Sequence, residues 1–139
     1  MQDNDEAALI SFNQKAFLLN DFTSSRVEVS KSITSLQADG GTNVNSGLVK
    51  ALDIFEEREN DRTKIVVLLC DGDVNYNQRT IDGYKEAGIQ IYAVNVESNS
   101  AHRDLQKMAE QTNGQYFYGE GNELGKIFGQ IQDSTVGRI

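Results

Sequence analysis

The feature that most constrains the fold is an uninterrupted apolar run near the middle of the chain, Ile65-Val66-Val67-Leu68-Leu69-Cys70, which Lys64 precedes. A strand with one face in solvent alternates apolar and polar residues, whereas a parallel strand buried on both faces is apolar throughout. The run over residues 64–70 therefore predicts a parallel strand at the centre of a sheet. Parallel neighbours need long crossover connections, usually helices, so we expect an α/β fold.

The segments around this run have the periods of crossover helices and further strands. Two apolar stripes predict helices, one through Val44, Leu48, Ala51, Leu52 and Phe55, and one through Ile81, Tyr84 and Ala87 that stops at Gly88. Further along the chain we predict a strand over residues 89–96, a helix over 102–113, a strand over 115–118 and a closing helix through Leu124, Ile127, Phe128 and Ile131.

The first part of the chain predicts a hairpin. Residues 7–12 and 16–19 have the composition of short strands, and a connection as short as residues 13–15 implies antiparallel pairing. A helix through Val29, Ile33 and Leu36 follows. The whole pattern predicts a mostly parallel, doubly wound, Rossmann-like sheet with helices on both faces and one antiparallel edge strand, and residues 1–139 are expected to form a single domain.

The charge and the cysteine content exclude several classes of partner and site. A formal net charge of −8, without a local cluster of Lys and Arg, opposes binding to nucleic acid. No apolar stretch is long enough for direct membrane insertion, and residues 1–8 lack the basic start of a signal peptide, so we expect any secretion signal to lie outside this chain. Cys70 is the only cysteine, which excludes an internal disulfide and a zinc site with Cys and His spacing.

Two polar loops are the candidate sites, because ligands of open parallel sheets bind where the carboxyl ends of the strands meet the loops. These loops are Gly40-Gly41-Thr42-Asn43, before a helix, and Asp71-Gly72-Asp73-Val74-Asn75, after the apolar run. The Thr42 hydroxyl and the Asp71 carboxylate are ligands that Mg²⁺ prefers. Alternatively, Thr42 or Asn43 only caps the helix, and the second loop is only a turn.

The stretches GGTN before a helix and LLCDGDVN after a buried strand, with GIQIYAVNV further on, resemble the von Willebrand factor type A family over almost the whole chain. The resemblance implies a non-catalytic, protein-binding adhesion module that is extracellular or on the cell surface. It also implies a metal-ion-dependent adhesion site, with Thr42 and Asp71 as ligands of Mg²⁺ or Mn²⁺ and a carboxylate of the bound protein on the metal. The implied rim of this site consists of Gly41, Asn43, Gly72, Asp73 and Asn75.

The chain departs from the family pattern because it has no Asp-x-Ser-x-Ser stretch, which holds the family's other metal ligands at the end of its first strand. We therefore expect an N-terminally incomplete domain, in which metal binding is weak or absent. The missing central strand belongs to a longer parent protein, comes from a partner chain, or is replaced by direct pairing of its two neighbours, which would bring Phe12 towards Cys70. The sequence leaves these three explanations open.

Three other functions remain as alternatives. The first is a metal-independent scaffold that binds proteins through its loops and helices, including the aromatic residues Tyr116 and Tyr118. The second is an enzyme in which Asp71 and Asp73 act as paired carboxylates, although no P-loop, nucleophile elbow or histidine-based metal motif is present. The third is a phosphoacceptor domain that uses Asp71, but this function needs an acidic pair on an earlier strand.

Overall fold

The computed structural model describes residues 7–12, 15–34, 43–57, 63–70, 76–95, 102–118 and 126. In chain order, these residues form β1 (Ala7–Phe12), β2 (Ala16–Thr23), α1 (Arg26–Thr34), α2 (Val44–Glu56), β3 (Ile65–Cys70), α3 (Gln78–Ala87), β4 (Gln90–Asn95), α4 (His102–Gln111) and β5 (Tyr116–Tyr118). The elements predicted within these ranges are all present. The predicted closing helix through Leu124, Ile127, Phe128 and Ile131 lies outside the described residues.

The opening hairpin is confirmed, with β1 and β2 antiparallel. Strand β2 continues to Thr23, beyond the predicted 16–19, because its pairing with β1 extends to the Ala7–Thr23 pair. The side chains of Phe17, Leu19 and Asp21 are exposed and alternate with partly buried neighbours, as expected for a strand with one face in solvent.

Strands β3, β4 and β5 form a separate parallel sheet in that order, which confirms the α/β class. The register runs without a break from Ile65–Gln90 to Cys70–Asn95. The apolar run predicts that β3 lies at the centre of the sheet, and this prediction is wrong for the described residues. Strand β3 lies at the edge, because no described strand pairs with its other side. Within the described residues, β1 pairs only with β2, so β1 and β3 do not pair directly.

The main core lies between one face of the parallel sheet and three helices. Helices α2, α3 and α4 and strands β3 and β4 all contribute to one cluster of buried side chains. The cluster contains Val44 and Leu48 from α2, Ile81 and Tyr84 from α3, Leu105 and Met108 from α4, Leu68 from β3, and Ile91 and Ala93 from β4. The opposite face carries a second cluster around Tyr92 and Val94. Helices α2, α3 and α4 therefore cover a single face of the parallel sheet.

Helix α2 connects the two sheets. It contacts both strands of the hairpin, and the rings of Phe22 in β2 and Phe55 in α2 lie 5.3 Å apart between centroids. Its residues Val44 and Leu48 share the main core with Leu68 of β3. Among the described helices, none is long and apolar enough to cross a membrane.

Candidate functional site

Asn43, which belongs to the first polar loop, caps helix α2. Its side-chain Oδ1 accepts a hydrogen bond from the Ser46 backbone N–H at 3.1 Å, and the Ser46 hydroxyl donates to the Asn43 carbonyl at 2.8 Å. These two bonds fix the first turn of α2, where backbone N–H groups have no partner within the helix. Asn43 thus has the capping role that the sequence left open beside a role in the rim of the site.

The second polar loop leads into α3, which Asn77 caps. The Asn77 side chain accepts a hydrogen bond from the Arg79 backbone N–H at 3.0 Å. The Asn77 backbone N–H donates to Oδ1 of Asn45 in α2 at 2.8 Å, a contact between residues 32 positions apart. The amino ends of α2 and α3 are therefore held together, and these are the ends that follow the two polar loops in the sequence.

A buried amide lies at the carboxyl edge of the parallel sheet. Asn95 ends β4, is fully buried, and pairs in register with Cys70, the residue immediately before Asp71. Its Nδ2 donates to the Tyr116 hydroxyl at 3.3 Å, and Tyr116 packs against the main core. Such a buried polar group needs hydrogen bonds to offset the loss of water. The sequence had signalled Asn95 only as a polar residue near the end of an apolar strand.

Of the predicted site residues, the structure describes only Asn43. Gly41, Thr42, Asp71, Gly72, Asp73 and Asn75 lie outside the described residues. Within the described ranges, no three His, Cys, Asp or Glu side chains come close enough together to hold a metal ion. The described geometry therefore defines the setting of the predicted site, namely the ends of β3 and β4 and the starts of α2 and α3.

The electrostatic setting favours negative charge. Neither α2 nor α3 has an Asp or a Glu in its first turn. The partial positive charge at each helix start, equivalent to about half an elementary charge, is therefore not neutralised by a side chain of that turn. By themselves, two such helix starts favour an anion, whereas the two carboxylates of the preceding loop, Asp71 and Asp73, favour a cation.

A groove of about 490 Å³ lies at the other end of the sheet, where β3 and β4 begin and where α3 and α4 end. Among the described residues, its lining includes Lys64, Lys85 and Thr112 and no Asp, Glu, His or Cys side chain. Gln90, which also lines the groove, donates from Nε2 to the Asn113 carbonyl at 3.1 Å, while its buried Oε1 has no hydrogen-bond partner.

A comparison against protein families agrees with the parallel sheet and the helix order of the described residues. The model of the von Willebrand factor type A domain matches residues 1–130. The chain belongs to this family. The expected family and fold are thus confirmed.

Individual relatives of this von Willebrand factor type A domain are distant in sequence. The chain is 22% identical to inter-alpha-trypsin inhibitor heavy chain H2 of Mesocricetus auratus, over all of this chain and 17% of that protein. It therefore spans less than a fifth of the length of the curated relative.

Two solved structures show the same fold. The protein BatB of Bacteroides thetaiotaomicron has a TM-score of 0.77 at 18% identity, over 98% of this chain and 82% of that one. Proximal thread matrix protein 1 of the mussel byssus, with a zinc-occupied MIDAS motif, has a TM-score of 0.76 at 21% identity, over 92% of this chain and 35% of that one. The TM-scores establish a shared fold, and at identities this low the fold is all that they establish.

Proposed function

We propose that residues 1–139 act as one non-catalytic, protein-binding adhesion domain with a divalent cation at the carboxyl edge of the sheet. Thr42 and Asp71 are the proposed metal ligands, and Gly41, Asn43, Gly72, Asp73 and Asn75 form the rim. The observation that carries this proposal is the hydrogen bond between Asn45 and Asn77, because it joins the helix starts that follow the two loops. We propose that the two loops, which precede these helix starts in the sequence, meet at one edge.

The chemistry of the donors suits Mg²⁺ or Mn²⁺, since hydroxyl and carboxylate oxygens are the ligands that these hard cations prefer. The zinc-occupied MIDAS motif of the mussel protein supports a divalent cation in a domain of this fold. The helix starts of α2 and α3 oppose an isolated cation, so the negative charge of Asp71 is required for binding. With Thr42 and Asp71 alone, binding is weak or absent, because two protein ligands leave most of the coordination sphere to water.

The same edge suits a carboxylate from a protein partner. The starts of α2 and α3 attract an anion, and their first turns contain no acidic side chain that would repel it. A bound cation adds to this attraction. We therefore propose that the partner presents a carboxylate to the metal, in a contact that is stronger in the presence of both the cation and the two helix starts.

The site also needs a further strand, and burial within the sheet supports a place for it. The β4 residues Ala93 to Asn95, which have strand partners on both sides, are all buried, whereas in β3 Leu68 is buried, residues 65–67 are partly buried and Leu69 is 40% exposed. An open strand edge leaves backbone donors and acceptors without partners. We propose that a strand from another segment or another chain pairs between β1 and β3 and supplies the remaining metal ligands.

Calorimetric titration with MgCl₂ and MnCl₂ tests this proposal. The chain is compared with a version to which a segment carrying an Asp-x-Ser-x-Ser strand is joined. Binding is expected in the completed version, and is expected to be lost in its Thr42→Ala and Asp71→Ala variants. The matched control is Asp82→Ala, which removes an exposed carboxylate on α3 and leaves binding unchanged. Absence of metal binding by the completed version would contradict the proposal.

A metal-independent protein scaffold is the second candidate function. Its support is the exposed apolar surface of the edge strand β2, where Phe17 is 50% and Leu19 is 40% exposed. The two functions differ in their response to a chelator. A partner bound through the cation is released by EDTA, whereas a partner bound through β2 is retained and is instead lost in a Phe17→Ser, Leu19→Ser double variant.

A further inference from the structure

Asn113 and Gly114 form the only Asn-Gly pair of the sequence and lie in the connection from α4 to β5. In such a pair the backbone nitrogen of the glycine can attack the side-chain amide carbon of the asparagine, because no Cβ on the glycine obstructs the ring that forms. Asn113 is exposed, so water reaches its side chain. The pair is therefore a candidate for spontaneous deamidation.

The end of α4 holds both residues in a helix cap. Asn113 has a φ of 60°, the left-handed conformation that asparagine tolerates at this position. Its N–H donates to the Glu110 carbonyl at 3.3 Å, and the Gly114 N–H donates to the Ala109 carbonyl at 2.8 Å. These two bonds form the Schellman arrangement, which satisfies carbonyls of the last helical turn. The nitrogen that would attack Asn113 is therefore engaged in a hydrogen bond.

This hydrogen bond opposes the reaction, because the Gly114 nitrogen must lose its proton before it attacks. The same loss of a proton limits amide hydrogen exchange, and hydrogen-bonded amides exchange only when the structure opens. Rotation about the Cα–C bond of Asn113 would also move its carbonyl, which accepts Nε2 of Gln90 at 3.1 Å. A Cβ on Gly114 would lie 1.9 Å from the Ile91 carbonyl oxygen, so this backbone is packed tightly against β4.

Thr112 fixes the capped end of α4 to the sheet. Its hydroxyl oxygen accepts the Ile91 N–H at 2.9 Å, and the hydroxyl donates to the Met108 carbonyl at 3.0 Å. Thr112 is 5% exposed, and a buried donor that loses its partner costs free energy. The side chain immediately before Asn113 therefore joins the last turn of α4 to β4.

We propose that Asn113 is a modification site, at which the intact cap of α4 blocks deamidation and opening of the cap allows it. The Gly114 nitrogen forms a bond to Cγ of Asn113 and closes a succinimide ring. The bond from Cγ to the side-chain nitrogen breaks, and this nitrogen leaves as ammonia with the proton that Gly114 gives up. Water then opens the ring at either of its two carbonyls, which yields an aspartate or an isoaspartate without any change in oxidation state.

Both products alter the end of α4. Each places a carboxylate at a helix C-terminus, where the partial charge of the helix is already negative. Isoaspartate also lengthens the main chain by one carbon, at the point where Gly114 has no space beside Ile91. The modified cap is therefore expected to close less well than the original one, so a transient opening leaves a permanent change. This inference goes beyond the proposed metal site and does not depend on it.

The test follows the chain during incubation in mildly alkaline buffer, by peptide mass spectrometry that locates the mass increase of deamidation at Asn113. Isomerisation of the Asp-Gly pairs of the sequence leaves the mass unchanged and is thereby distinguished. The folded chain is compared with the chain in urea and with two variants, Thr112→Val, which removes the hydroxyl, and Thr112→Ser, which retains it. The matched control is Tyr84→Phe, which removes a buried hydrogen bond between α3 and α2 and leaves α4 unaltered.

Deamidation of Asn113 is expected to be about tenfold or more slower in the folded chain than in urea, because the cap must first open. In the folded state, Thr112→Val is expected to raise the rate about tenfold, as for a buried donor left without its partner. The exchange rate of the Gly114 amide rises by the same factor. Thr112→Ser and Tyr84→Phe keep both rates close to those of the parent.

The outcomes separate the site from its control. Absence of deamidation at Asn113 in urea would show that the modification site is wrong. Equal rates in the folded chain and in urea would show that the cap does not block the reaction. Equal acceleration in Thr112→Val and Tyr84→Phe would also contradict control by the cap, because global unfolding would then expose the site. Faster exchange at Gly114 without faster deamidation in Thr112→Val would exclude its hydrogen bond as the block.

Discussion

At the scale of single residues, asparagines define the edge of the sheet at which we place the function. Asn43 caps α2, Asn77 caps α3, Asn45 of α2 accepts the Asn77 backbone N–H, and Asn95 is buried at the end of β4. Each has a short, uncharged amide side chain that can bond only to groups close to it in space. The sequence left capping by Thr42 or Asn43 open as an alternative to a role in the site, because a polar residue before an apolar stripe indicates a cap. It did not predict the role of Asn45, whose partner lies 32 residues away.

Tyr84 gives a prediction at this scale. Burial, with a smaller contribution from the nearby Asp53 carboxylate, raises the pKa of its hydroxyl well above the ordinary value of 10.0, and the hydroxyl donates to the Leu48 carbonyl at 2.5 Å. In the unfolded chain the hydroxyl ionises near pH 10, whereas in the folded chain it stays protonated. The contribution of Tyr84 is therefore fully present below about pH 10 and is lost as the pH rises further.

We expect Tyr84→Phe to lower the free energy of unfolding by about 1 kcal/mol at pH 7, because one buried hydrogen bond is lost. Urea denaturation from pH 7 to pH 11 is expected to show a weaker loss of stability at alkaline pH than in the parent. Tyr118→Phe is the control, because Tyr118 is 47% exposed. An identical pH dependence in the parent and in Tyr84→Phe would argue against the buried, protonated hydroxyl.

At the scale of helices and strands, local patterns predicted the elements well but predicted strand neighbours poorly. The stripe from Val44 to Phe55 gave α2, and Gly88, with a φ of +70°, ends α3 as predicted. The end of β2 was missed because Asn20 and Asp21 interrupt the apolar run, although antiparallel pairing carries the strand on to Thr23. A central position for β3 requires a pairing strand on each side, and the apolar run does not show which segment would supply the second strand.

Gly114 gives a prediction about the connection from α4 to β5. A Cβ at this position would lie 1.9 Å from the Ile91 carbonyl oxygen, so the backbone of the connection approaches β4 more closely than any other residue type allows. Gly114→Ala is expected to lower the free energy of unfolding by about 3 kcal/mol, a large overpacking effect.

The control for this variant is Gly88→Ala, at a position where no atom lies within 4 Å of an added Cβ. Only the left-handed backbone opposes it, at a cost of about 1 kcal/mol. Chemical denaturation of both variants measures the difference. Equal destabilisation would mean that the close approach of Gly114 to Ile91 does not decide its identity.

At the scale of the whole molecule, the described strands form two sheets that are not joined by strand pairing. Helix α2 contacts the hairpin and shares the main core with β3, yet β1 and β3 form no ladder with each other in the described part of the chain. Membership of the von Willebrand factor type A family and the α/β fold are established. The place for a further strand, the metal edge and the partner's carboxylate are the proposals that follow from this arrangement.

Amide hydrogen exchange over residues 65–70 and 90–95 tests most directly whether the outer edge of β3 is unpaired. It is measured in the chain alone and in the strand-completed version. Successive amides of a strand point to opposite sides, so β4 is expected to be protected throughout, whereas every second amide of β3 exchanges rapidly in the chain alone. We expect the added strand to protect these β3 amides from exchange. Protection of every β3 amide in the chain alone, equal to that of β4, would contradict it, because the edge would already be paired.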